Sequence, residues 1–424
     1  MTHADDIALL TSLYDAAIKA ADPMHALARH LPAPPKGRVV VVGAGKGAAH
    51  MAAALEALWD GPLQGVVVTR YGFSVPCEQI RVLEAAHPVP DEAGVEASKA
   101  LFEAVRDLTP DDLVIALICG GGSALLPCPP EGMTLADEQL LNKALLASGA
   151  PISAMNAIRK HMSGIKGGRL AAACHPAKLV SLIVSDVPGD DPAQVASGPT
   201  VPDATGRKAA LTAIRDYCID LPDHIIAHIK ESAAPNPTHS DFADNEVRVI
   251  ASAAKSLEAA AERAGALGLP ALILSDAIEG EARDIGRMHA ALAREVALRD
   301  RPFAKPVVLL SGGETTVTLR DGGERAGRGG RNTEFLLSFA LDMEGVAGVS
   351  ALAADTDGID GSEENAGAFA SGQTAQAIRD TGHDPRELLA CHDAYTAFEQ
   401  IGGLFTPGPS GTNVNDFRAI LIRE

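Results

Sequence analysis

A chain of 424 residues, 46% hydrophobic and 21% charged, is too long for one ordinary core and predicts a two-domain globular protein. Its 55 acidic against 36 basic residues give a net charge of −19, which makes nucleic acid and anionic membranes poor partners. Six scattered cysteines without a C-x-x-C pair, an acidic N-terminus unlike a signal peptide, and no apolar run near the roughly 18 residues of a membrane span predict a reduced, cytoplasmic protein.

Strands and helices alternate from the start. Residues 38–42 predict a strand and 47–59 a helix; 65–69 and 80–86 predict strands, and 92–107 a helix. A strand at 112–119 is followed by helices at 135–147 and 151–162, then by a strand at 178–184. These strands are continuous apolar runs, so both faces are buried, which implies a doubly wound, Rossmann-like parallel sheet between helices. The polar, proline-bearing stretch 232–245 predicts the domain boundary, giving domains 1–235 and 245–424, the second a smaller mixed α/β domain.

Chemistry clusters where strands end. "VVVVGAGKGAAH" (39–50) reads as a strand, a tight turn and a helix N-terminus, a place for phosphate. Gly43, Gly45 and Ala48 can be laid on the dinucleotide fingerprint, but the second strand ends in Thr69-Arg70 and lacks the acid that bonds a ribose hydroxyl; Arg70 is suited instead to the 2′-phosphate of NADP, which keeps that dinucleotide open. Lys46 favours a bound or transferred anion instead. "CGGGSALLP" (119–127) offers a second anion nest through Gly121 and Gly122, with the Ser123 hydroxyl beside it. "SDVPGDDPAQVASGPT" (185–200) places Asp186 and Asp190 at a strand end, suited to a divalent ion or to a base on a hydroxyl, while Asp191 reads as a solvated turn.

The second half repeats the design. "SGGET" (311–315) carries Glu314, and "GRGGRNTE" (327–334) carries Arg328, Arg331 and Asn332, a setting for clamping phosphate or carboxylate. "ADTDGIDG" (354–361) offers Asp355, Asp357 and Asp360 to a metal or a substrate, and "GTNVNDF" (411–417) brings Asn413, Asn415 and Asp416 together. His161 and His175 read as structural.

These stretches, with "NAIRKHMSGIKGGRLA", "SGGETTV" and "AADTDGIDG", lie in order along nearly the whole chain, and in them the chain resembles the glycerate 2-kinase family, which pairs a Rossmann-like domain with a C-terminal MOFRL-type domain. The resemblance implies phosphorylation of D-glycerate at its 2-hydroxyl by ATP with Mg²⁺ in an interdomain cleft. It implies that Lys46 and Arg331 flank the reacting phosphate or the glycerate carboxylate, and that Asp186, Glu314, Asn332 and Asn413 are cleft residues. The expected division of labour gives the glycine loops the ATP phosphates, Asp355 and Asp357 the metal, and Asp186 the acceptor hydroxyl. Small-molecule substrates are the expected partners, and a homodimer is left open. Members of the family are also labelled hydroxypyruvate reductase, so an NAD(P)H-dependent reductase is the alternative. It would explain the first glycine loop but not the arginines and strand-end carboxylates.

Overall fold

The computed structural model describes residues 3–319 and 327–424, which form two compact units. One spans residues 23–250; the other joins residues 251–424 to the N-terminal segment through residue 22. Among the described residues, no helix is long and apolar enough to cross a membrane.

The first unit is built on β1 (Val39–Ala44), β2 (Gln64–Arg70), β3 (Ile80–Ala85), β4 (Leu113–Ile118), β5 (Lys178–Val184) and β6 (Glu246–Ala251), in the order β3-β2-β1-β4-β5-β6. From β3 to β5 every pairing is parallel. Every residue of β1 and β4 is buried, because valine, leucine and isoleucine on both faces meet covering helices. Helix ends follow local chemistry. The Asp91 carboxylate accepts the Gly94 N–H at the start of Glu92–Ala104, and Thr134 with Asp137 forms a capping box on Leu135–Ala147.

The second unit is a mixed sheet. Its strands are β7 (Ala271–Ser275), β9 (Val307–Gly313), β11 (Val349–Asp355), β12 (Gly367–Ser371), β13 (Leu404–Phe405) and β14 (Asp416–Ile422), while β8 (Gly280–Glu281) and β10 (Thr315–Thr316) form a separate parallel pair. The order is β13-β12-β11-β14-β9-β7, antiparallel except where β7 meets β9. Alternation divides its core. Val307 and Leu309 pack with Phe335 and Phe339 of the helix Arg331–Asp342, whereas Val308 and Leu310 pack with Leu10, Leu13, Tyr14 and Ala17 of the helix His3–Ala21.

Two boundaries differ from the sequence expectation of domains 1–235 and 245–424. The N-terminal helix buries its apolar stripe in the second unit, and β6, expected to open the second domain, is the last strand of the first sheet. The polar stretch 232–245 is therefore a connection inside the first unit.

The buried His289 sets a pH response. Its Nδ1–H donates to the Ile285 carbonyl (2.9 Å) and its Nε2 accepts from the Ser311 hydroxyl (2.9 Å), so the neutral ring is satisfied on both sides. Burial pushes its pKa from 6.5 down to about 4. The folded state thus resists a proton that the unfolded chain accepts. The stabilisation is whole above pH 6.5 and is lost as pH falls from 6.5 toward 4, by up to about 3 kcal/mol at 1.36 kcal/mol per unit. His289→Gln is expected to remove that slope from urea-unfolding stability measured against wild type. Parallel slopes in the two proteins would contradict the assignment.

Candidate active site

In the first unit, five neighbouring parallel strands point their carboxyl ends to one edge, and each end brings a different group. β1 runs into Gly45, Lys46 and Gly47 before the helix Ala48–Leu58. The backbone amides of this turn are already engaged: Gly45 N–H donates to Val68 O (3.1 Å), Lys46 N–H to Gly120 O (2.8 Å) and Gly47 N–H to Cys119 Sγ (3.2 Å). Burial pushes the Cys119 thiol up to about 12, so it acts here as a neutral packing group. The glycines have packing reasons. A Cβ on Gly43, which lies inside β1, would sit 2.6 Å from Leu117 O, and one on Gly45 (φ +140°) 2.3 Å from Cys119 Sγ. The expectation that Gly43 and Gly45 hold an anion is therefore corrected: they let two strands and a turn approach, and what this turn offers a ligand is the Lys46 side chain.

The second loop lies beneath that side chain. Gly121 is left-handed (φ +79°), and a Cβ there would come within 2.9 Å of Lys46 Cγ and 3.2 Å of His87 Nε2. Lys46 and His87 thus both rest against its bare α-carbon. Gly122 is pressed on Ala196, and Ser123 Oγ lies 2.8 Å from Ser197 Oγ. A Cβ on Gly120 would stand 1.9 Å from Asp186 Oδ2, so the Asp186 carboxylate at the end of β5 is seated over Gly120. Arg70, at the end of β2, lies over the Phe73 ring (3.5 Å). Burial, then Lys46 and Arg70, lower the His87 pKa to about 4. His87 was missed from sequence. It stands two residues beyond β3, and the strand-end rule that found Lys46 could have found it. Asp190 adopts φ +53° in the loop after β5, and Asp191 accepts from Ala193 N–H (3.0 Å) and Gln194 Nε2 (3.2 Å).

In the second unit, antiparallel pairing sets Asp355 directly opposite Asp416, which in turn faces Gly313. Arg331, the first residue of its helix, reaches all three strand ends. Its Nε donates to Asp416 Oδ1 (2.7 Å), Nη2 to Asp355 Oδ2 (2.7 Å) and Nη1 to Glu314 Oε1 (2.9 Å). Asp416 also receives the fully buried Arg418, whose guanidinium faces the Phe335 ring. Burial would raise the Asp416 pKa, but Arg418 and Arg331 outweigh it and hold the carboxyl below its usual range. For Asp355, burial dominates over Arg331 and raises the pKa. Asn332 Nδ2 donates to Asp416 Oδ1 (2.9 Å). Tyr14, from the N-terminal helix, donates to the Asp355 carbonyl (3.0 Å) and ties that helix to the cluster.

Other expected residues fall elsewhere. Arg328 shares no partner with Arg331; it pairs with Glu363 (2.9 Å) and Glu399 (3.4 Å) and lies over Tyr395, so the expected double-arginine clamp does not form. Asp360 caps the Arg331 helix by accepting from Asn332 N–H and Thr333 N–H, both 2.9 Å. Asn413 Oδ1 accepts from Asn415 N–H (3.0 Å), which shapes the turn into β14. The carboxylates expected to take a metal, Asp355 and Asp357, have partners within the chain. Asp355 Oδ1 takes the Asp357 N–H (2.9 Å) while Oδ2 holds Arg331, and Asp357 Oδ1 takes the Ile359 N–H (2.8 Å). Among the described residues, no three His, Cys, Asp or Glu side chains group to hold a metal ion. Asp355 and Asp357 therefore do not fit a preformed magnesium cage.

A family model described as a domain of unknown function (DUF4147) matches residues 9–230, and the MOFRL family model matches residues 307–416. A Thermotoga maritima protein named D-glycerate 2-kinase is 40% identical over 96% of this chain and 95% of its own. A Pyrococcus horikoshii glycerate 2-kinase is 39% identical over 91% and 88%. An Agrobacterium vitis protein, 54% identical over 98% and 94%, carries hydroxypyruvate reductase as a provisional name. The crystal structure of the T. maritima glycerate kinase matches with a TM-score of 0.88 at 38% identity, covering 98% of each chain. The chain belongs to the DUF4147–MOFRL family that includes the glycerate 2-kinases.

Proposed function

We propose that this protein is a D-glycerate 2-kinase, transferring the γ-phosphoryl group of ATP to the 2-hydroxyl of D-glycerate and releasing ADP and 2-phosphoglycerate. The observation that carries the reading is the Lys46 side chain resting on Gly121, with the Asp186 carboxylate seated over Gly120 on the same loop. Cation and acid thus flank one glycine turn, the pairing that a transferring phosphoryl group and an attacking hydroxyl require.

In this reading Lys46 neutralises charge on the equatorial oxygens of the phosphoryl group, and Asp186 accepts the proton of the 2-hydroxyl as the new P–O bond forms. Arg331 binds an anionic group of the substrates. Of its three carboxylate partners Glu314 is half exposed while Asp355 and Asp416 are buried, so an incoming anion displaces Glu314 and leaves the buried pairs intact. ATP is read as arriving with Mg²⁺ on its own phosphates, and no step is assigned to the ion. The reductase alternative in its NADH form lacks the expected ribose carboxylate: β2 ends in Thr69, bonded to Lys46 O (2.9 Å), and Arg70, which suits only the 2′-phosphate of NADPH.

Lys46→Met is expected to lower kcat by about 10²–10³-fold, the scale for losing one charged transition-state contact. A wild-type rate would remove Lys46 from the chemistry. Asp186→Asn is expected to lower kcat with little change in the KM for ATP, and Gly120→Ala to reproduce it, because the added methyl must push the carboxylate aside. Normal turnover in both would end the role of Asp186. The assay that tests the reading couples D-glycerate, ATP and Mg²⁺ through enolase and pyruvate kinase. A parallel arm supplies hydroxypyruvate with NADH or NADPH. Nicotinamide oxidation without a kinase signal would overturn the proposal.

A further inference from the structure

A polarised chain of side chains runs from the glycine loop through the first unit. Gln194 Nε2 donates to Asp191 Oδ2 (3.2 Å), and a carboxylate can only accept, so Gln194 Oε1 faces Asn156 Nδ2 (3.1 Å). Asn156 Nδ2 also donates to the Gln194 carbonyl (3.0 Å), while Arg159, which can only donate, reaches Asn156 Oδ1 (3.2 Å). The amide orientation is thereby fixed at both ends. Ser197 must then give its single proton to Asn156 Oδ1 (2.9 Å). The 2.8 Å contact between Ser123 Oγ and Ser197 Oγ has only one consistent filling: Ser123 donates. Ser197 is held for this in a left-handed turn, with Ala196 at φ +52°, Ser197 at +60° and Gly198 at +60°, a conformation that costs energy in the two non-glycine residues.

We propose that Ser123 is a specificity residue for the acceptor: with its proton committed to Ser197, its oxygen accepts a hydrogen bond from the 3-hydroxyl of glycerate and does not donate to a phosphate oxygen. This rests on the kinase reading above and reverses the sequence expectation that the Ser123 hydroxyl helps cradle phosphate. The 3-hydroxyl is the one that keeps its proton during transfer. The 2-hydroxyl must lose its own, and a carboxylate such as Asp186 can take it where a serine oxygen cannot. Ser197 and Asn156 are positioning residues that act through Ser123.

Ser123→Ala is expected to raise the KM for D-glycerate about three- to tenfold, the worth of one hydrogen bond, with the KM for ATP unchanged. The inhibition constant of D-lactate, which lacks the 3-hydroxyl, is expected to stay at the wild-type value. Ser197→Ala, which frees the Ser123 proton to rotate, is expected to shift the glycerate KM the same way by less. Equal effects on glycerate and lactate, or on glycerate and ATP, would overturn the proposal, as would a loss of thermal stability without any change in KM. A neutron diffraction map of the wild-type protein is expected to show the Ser123 hydrogen on the Ser197 side; a hydrogen turned away would refute the polarity. That map reads Ser123 even if no glycerate-dependent turnover is found, so failure of the kinase reading and failure of this inference remain distinct.

Discussion

Parallel pairing of β3, β2, β1, β4 and β5 is the constraint on which the first unit depends. Parallel strands need crossovers, and crossovers send every strand to end at the same edge. In sheet order the ends supply the neutral His87, the cationic Arg70 and Lys46, the glycine loop 120–123 and the acid Asp186. The strand order reverses between the parallel neighbours β1 and β4, where open α/β sheets bind ligands, and there Lys46 lies on Gly121. Glycine is required on this edge because neighbouring groups approach too closely for a side chain.

The second unit solves a different problem, holding a guanidinium rigidly in an acidic protein. Antiparallel register puts Asp355 and Asp416 side by side, and Arg331 bridges them. Asp416 is shared with Arg418, so neither buried charge stands alone. Removing one partner from such a group is costly because the remaining charge stays desolvated. The arrangement fixes Arg331 more firmly than a flexible surface arginine could be fixed, at the expense of surrounding it with carboxylates that an anionic ligand must outcompete.

Much of the fold was legible, because short apolar runs such as "KLVSLIV", rich in β-branched residues, read as strands buried on both faces, and β5 spans those same residues with all but Lys178 buried. The strand-end clusters were legible for the same reason: glycine followed by charge is conspicuous after an apolar run. What escaped depends on partners distant in the chain. β6 has a strand pattern, yet nothing local says which sheet it joins. The stripe Leu10, Leu13, Tyr14, Ala17 announces an amphipathic helix without naming the face that covers it. Asp360 and Arg328 looked like ligands for want of knowing that a helix N-terminus and Glu363 already occupy them. Ser123 was seen, but its polarity rests on Asn156, Arg159 and Asp191, whose contacts no spacing reveals.

The most direct test of the central claim is the phosphorus NMR spectrum of the product formed from D-glycerate and ATP. A phosphate on the 2-oxygen couples to a single neighbouring C–H and gives a doublet; on the 3-oxygen it couples to two and gives a triplet. The account predicts the doublet of 2-phosphoglycerate growing as ATP is consumed. A triplet, or no new phosphomonoester signal, would contradict it.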